Sequence, residues 1–169
     1  DYLAGRDTVV DALLAREEPF SPEEPDLLSR GRFIAMLRQT VGARADHWGM
    51  PFDDVFPFNW YTPDIVWAVE MGIVTGETED TFAPGTPITW EQAAVLAERY
   101  LDAAGVEPPV VQEGEVPGWV DALTHDWAKP AVEAAWRHGL LPGNYDARAA
   151  MGCGEEQSFL DRLTAALTS

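Results

Sequence analysis

The chain has 169 residues, 46% apolar and 11% aromatic, enough for one compact domain or two small ones and too apolar for a disordered tail. Its 29 acidic against 11 basic residues give a net charge of −18, which repels a phosphate backbone and argues against nucleic acid as partner. No apolar stretch reaches the roughly 18–20 residues of a spanning helix, and Asp1-Tyr2-Leu3 opens no signal peptide, so the sequence reads as a segment processed or excised from something longer and not membrane-spanning.

Charge is spread unevenly. Residues 1–44 hold six basic groups (Arg6, Arg16, Arg30, Arg32, Arg38, Arg44) against eight acids, so an anionic ligand has one natural landing zone there. Cys153 is alone and cannot form an internal disulfide; with three scattered histidines it cannot build a standard zinc site, so no metal and no cofactor are expected. A lone thiol leaves the compartment open.

In chain order, the first element is Phe20-Ser21-Pro22, followed by Ser29 as N-cap of a helix from Arg30 to about Val41, with Gly42 beyond it. Trp60 to Gly76 then reads as a short helix entered at Pro63 and ended at Gly72, where a C-terminal cap wants left-handed φ. Phe82-Ala83-Pro84 repeats the F-x-P element. Thr89 caps a helix from Trp90 to about Ala104, stopped by Gly105 and Pro108. A second short helix follows Pro130 and ends at Gly139, and a shorter turn, Asn144 to Gly154, leads to a last helix from about Glu155 to Leu167.

These elements repeat. Trp60 to Gly76 and Trp127 to Gly143, 67 residues apart, both read W-x2-P-x8-G-[IL]-[VL]-x-G. The three long helices share one apolar spacing as well: Phe33, Ile34, Leu37, Val41; Ala93, Ala94, Ala97, Leu101; Phe159, Leu160, Leu163, Leu167. Aligning Glu91-Gln92 with Glu156-Gln157 would shift the third helix by one residue; the apolar face is the stronger guide.

Phe52-Asp53-Asp54-Val55, Trp60, Ile65, Ala68, Gly72-Ile73-Val74-Thr75-Gly76, Asp80-Thr81-Phe82-Ala83-Pro84 and Ile88-Thr89 together resemble the S-layer homology repeat. The match weakens over 119–168, where the F-x-P turn is lost, and is weakest over 1–43. The resemblance implies an all-α fold: a pseudo-threefold arrangement of three helix–turn–helix repeats around a central three-helix bundle. Repeat one would span 1–44, repeat two 45–105, a linker 106–118 and repeat three 119–169, within a single domain. It also implies a role. Family members anchor exported proteins non-covalently to the bacterial wall by binding secondary cell-wall polysaccharides, often pyruvylated and hence anionic, in grooves between repeats. The chain is then expected to be extracellular, at the cell wall or cell surface.

The family's Thr-Arg-x-Glu motif binds through an arginine able to pair with a ketal carboxylate. Here Ser29-Arg30-Gly31-Arg32 keeps the hydroxyl and the arginine but not the glutamate, Thr89-Trp90-Glu91-Gln92 has tryptophan instead, and the third copy has Glu156, or Glu155 in the other register. At most one groove keeps its arginine. The expected ligand-binding residues are Arg30, Ser29, Arg32, Gly72, Thr75, Gly76 and Trp90, with the helix N-terminus adding partial positive charge and free N–H groups. The competing role for Arg30 is an ion pair with a neighbouring acid.

Of the seven tryptophans, Trp60, Trp67, Trp127 and Trp136 read as core, because they recur in the repeats or lie in the short helices. Trp48 and Trp90 are less constrained, and Trp90 either stacks on a glycan or plugs a dead groove. Adjacent acids such as Asp53/Asp54 or Glu155/Glu156 do not by themselves flank a scissile bond, and no nucleophile motif or P-loop is present, so no catalytic residue is expected. The turn 76–81 lacks the spacing of a calcium loop. The alternative to glycan binding is a structural or protein-interaction module that keeps the fold and has lost the site.

Overall fold

A computed structural model describes residues 27–44, 49, 51–56, 59–76, 78–141, 143 and 146–168. The expectations for Phe20-Ser21-Pro22 and Trp48 lie outside these residues. The class is helical, with no strand among the described residues: α1 (Arg30–Val41), α2 (Thr62–Glu70), α3 (Trp90–Ala103), α4 (Gly118–Ala122), a 3-10 turn (Asp126–Ala128), α5 (Lys129–Arg137) and α6 (Glu155–Thr168). None of these helices is long and apolar enough to cross a membrane.

Local chemistry sets the helix ends. Ser29 Oγ accepts from Arg32 N, and Gly42 closes α1 at φ 70°. Thr89 and Gln92 form a reciprocal capping box at the start of α3. The short helices α2 and α5 have proline in their first turn and end alike: Ile73 N donates to Ala68 O, and Leu140 N donates to Ala135 O, past glycines at φ 73° and 79°.

The three segments that enter the long helices are joined to one another. Leu28 N donates to Met151 O (3.0 Å), Met151 N to Ile88 O (2.8 Å) and Ile88 N to Leu28 O (2.8 Å), a closed ring of three buried residues. Bridges Leu27–Gly152, Ser29–Pro87 and Thr89–Ala150 flank it. Each bond satisfies a backbone group that burial would otherwise leave unpaired. The ring brings the starts of α1, α3 and α6 together, and the apolar faces continue the contact: Phe159 of α6 lies 6.0 Å from Phe33 and 6.4 Å from Trp90 between ring centroids. Three more residues separate Met151 from Phe159 than Leu28 from Phe33, the stretch Gly152-Cys153-Gly154.

Outside this centre, α1 packs on α2 and α6, and α3 packs on α5. Arg38 of α1 pairs with buried Asp64 of α2 and donates to Ala43 O (2.8 Å). Asp54 explains why an acid sits beside the F-x-P turn: its two carboxylate oxygens accept from Phe82 N (2.8 Å) and Ala83 N (2.7 Å), holding Ala83 at φ 57°. It is a structural clamp.

Candidate functional site

The cleft of interest, about 300 Å³, opens between the start of α1, the turn after α2, and α3. Arg30 lines one side, and Val74, Thr75 and Gly76 line another. A stripe of α3 at helical spacing, Gln92, Val95, Leu96 and Arg99, lines a third side together with Ile88. Trp127, from the 3-10 turn, completes the lining. Two guanidinium groups and no carboxylate in the lining set this cleft apart from a chain of net charge −18.

Sequence logic places each wall. Arg30 leaves α1 at its first residue, and its guanidinium carbon stands 4.7 Å over the Phe82 ring, a cation–π contact that positions it at the cleft. Gly76 has φ 82°, and a Cβ there would lie 2.5 Å from Phe52 and 2.7 Å from Thr78 O, so only glycine permits this turn. Arg99 donates from Nη1 to Ile73 O (2.9 Å), pinning the guanidinium to the turn it faces. Ala128, buried beside Trp127, anchors the 3-10 turn, and Lys129 ties down Asp126 and Asp121 at 2.8 Å each.

Of the residues expected from sequence, Arg30, Thr75 and Gly76 are brought together in the cleft. Ser29 serves as the α1 cap, exposed Arg32 supplies the N–H it accepts, and Gly72 caps α2; none of the three lines the cleft. Trp90 is 8% exposed and packs on Phe159, filling space in the core.

Two expectations are corrected. The α1 N–H groups are not free for an anion: Arg30 N donates to Thr86 O (2.9 Å), Gly31 N to Pro84 O (2.9 Å) and Arg32 N to Ser29 Oγ, because the F-x-P loop folds over the helix start. Trp60 and Trp127 are not core: they are 64% and 60% exposed, standing one turn before their helices, while Trp67 inside α2 is buried. Arg99 and Trp127 also line the cleft and are not among the residues expected from sequence. The 67-residue repeat could have flagged Trp127 as positioned like Trp60; nothing in the chain pattern marks Arg99.

At the start of α3 the same backbone arrangement carries different chemistry. Trp90 N donates to Ala149 O (3.1 Å) and Glu91 N to Ala147 O (2.8 Å). Buried Glu91 then accepts from His125 N (3.0 Å) and meets His125 Nδ1 at 2.6 Å. At the start of α6, Glu156 turns back on Gly154 N (2.5 Å) and Glu155 on Gly152 N (3.3 Å). Glu155 and Glu156 are thus occupied by nearby backbone and Glu91 by His125.

Comparison with known proteins bears directly on this region. Residues 51–94, which include the turn and the first part of α3, match the family model described as S-layer homology domain. Over that stretch the chain matches an S-layer homology domain. Two curated relatives are similar to it: an endoglucanase of Bacillus sp. (strain KSM-635), 35% identical over 127 residues, and a surface-layer 125 kDa protein of Lysinibacillus sphaericus, 34% identical over 94 residues. The alignments cover 75% and 55% of this chain but only 13% and 7% of those proteins, so the chain spans a small fraction of the relatives it matches.

Proposed function

We propose that this chain is a non-covalent, non-catalytic anchoring module at the bacterial cell surface, binding an anionic cell-wall polysaccharide in the Arg30 cleft. The domain match and the likeness to a surface-layer protein support cell-wall anchoring in general. The observation that carries the site is the convergence of Arg30 with the 74–76 turn, 44 residues further along, in a cleft lined by two arginines and no acid in an acidic chain. An arginine fork suits a carboxylate, and the pyruvyl ketal expected from the family supplies one. We read the chain as three repeats in pseudo-threefold arrangement, over 1–44, 45–105 and 119–169 with 106–118 as linker; the ring through Leu28, Ile88 and Met151 supports that reading.

A pull-down on purified cell-wall polysaccharide tests the proposal. Wild type is retained, and Arg30→Ala is lost. Equal retention of the two removes Arg30 from the site; no retention of wild type removes the binding role. A structural or protein-interaction role has one observation in its favour, the burial of Trp90 and Glu91 where the second copy would carry its site. That observation concerns one helix start and leaves the Arg30 cleft open.

A further inference from the structure

Two of the three histidines in the chain meet glutamates on one face of α3. Glu91 and Glu98 stand about two helical turns apart, both turned toward the segment 119–141. Glu91 Oε1 lies 2.6 Å from His125 Nδ1, and Glu98 Oε1 lies 3.0 Å from His138 Nδ1. The pairs straddle the packing of α3 against the 3-10 turn and α5. Only His125 is open to water: the side chains of Glu91 and His138 are each 3% exposed and that of Glu98 13%. His138 Nε2 is buried with no hydrogen-bond partner among the described residues. Nothing in the glycan-binding reading uses these four groups.

A carboxylate beside a neutral imidazole leaves a net negative charge under the surface of a chain that already carries −18. One added proton cancels it, and at these separations that proton belongs to the pair rather than to either residue. We propose that the two His–Glu pairs are a proton-operated latch: each takes up a proton as pH falls through the histidine range, and the segment 119–141 is then held more firmly on α3. Burial raises the Glu98 pKa, His138 opposes the rise and Asp102 adds to it, so a bare charge at Glu98 is disfavoured in the folded chain. Two further acids face His125: Asp126 and Asp146, held low in pKa by Lys129 and Arg148 respectively and, to a smaller extent, by His125 itself. The other charges on the packed elements have partners outside the two pairs, Asp121 on Lys129, Glu133 on Arg137 and Arg99 on Ile73 O. A folded pair that holds more protons than the unfolded chain adds stability as pH falls and loses it as pH rises. Trp127, two residues after His125, belongs to the latched segment, so the pairs also hold one wall of the cleft in place. The latch stands whatever that cleft binds.

Amide hydrogen exchange on the full chain, corrected for intrinsic rates, tests the latch at about pH 7.5 and about pH 5.5, either side of the histidine range. In wild type, protection over α5 relative to α1 is expected to rise about tenfold on acidification, about threefold from each pair. Glu98→Gln and Glu91→Gln, which keep the shape and remove the ionisable group, should each reduce the rise to about threefold, and the double variant should abolish it. A double variant that shows the wild-type rise, or a wild type whose α5 protection is flat or falls on acidification, overturns the latch. Should the double variant not fold, His125→Asn with His138→Asn replaces it, since each asparagine keeps a donor near Nδ1 and removes the titrating ring. The rise must vanish there too, and its persistence overturns the inference equally. Polysaccharide enters none of these measurements, so their outcome and that of the pull-down are read separately.

Discussion

The start of α1 and the start of α3 share one backbone plan and have opposite chemistry. In each, a hydroxyl residue caps the helix and the first two N–H groups donate to a loop further along the chain, Thr86 and Pro84 in one case, Ala149 and Ala147 in the other. Arg30-Gly31 then leaves a cleft with a cation at its edge, whereas Trp90-Glu91 turns inward, the indole onto Phe159 and the carboxylate onto His125. The lesson is that one hydrogen-bonded frame serves both starts while two adjacent side chains decide whether a helix start lines a cleft or packs into the core.

The sharpest way to break the comparison is at Phe159, which touches both Phe33 and Trp90. Phe159→Ala is expected to cost about 4 kcal/mol, read by urea unfolding, and to loosen both helix starts together. Next is the exchange itself. Trp90→Arg places a charge where the indole is buried and should cost about 3 kcal/mol while adding no polysaccharide binding, because Trp90 and Glu91 both pack inward at that helix start. A gain in binding at unchanged stability would refute the distinction drawn between the two helix starts.

Asp54→Ala removes the acceptor of Phe82 N and Ala83 N, and Phe82 is the ring beneath Arg30. It should cost about 2 kcal/mol and weaken retention on the wall polymer, leaving the α3 start untouched. Differential exchange of the Phe82 and Ala83 amides would report it.

The comparison can be sharpened further along α3 by pH. Burial raises the Glu98 pKa, against the opposing hydrogen bond from His138 Nδ1 at 3.0 Å, with Asp102 adding to the rise. A carboxyl whose folded pKa lies above its unfolded value favours folding when protonated, so its contribution is full below the unfolded pKa and is lost as pH rises through the folded one. Thermal midpoints of wild type should therefore gain more than those of Glu98→Gln as pH is lowered from 7 toward 5. Parallel curves would contradict this. The smallest effect is expected at Arg32, exposed and outside the cleft lining: Arg32→Ala should change stability by less than about 0.5 kcal/mol and leave retention unchanged.

Much of this was legible in local pattern. The ends of α1, α3 and α6, the capping hydroxyls at Ser29 and Thr89, and the glycines closing α2 and α5 all follow from chemistry within one or two turns of chain. So did the apolar stripes: Phe33, Ile34 and Leu37, Ala93, Ala94 and Ala97, and Phe159, Leu160 and Leu163 are buried as their spacing requires. The recurrence of Trp60 at Trp127 was also legible, but it was misread as core. A repeated tryptophan marks an equivalent position without saying which side of the chain meets water.

By itself, the sequence determined the helices, their caps, the repeat and the presence of an arginine where the motif needs one, because each rests on interactions between residues close along the chain. Only the tertiary structure decided that Leu28, Ile88 and Met151 close a ring, that the F-x-P loop consumes the α1 amides, and that Arg99 and Trp127 face Arg30 across one cleft. These pairings join residues tens of positions apart, and their energy comes from burying and satisfying groups that no local spacing relates.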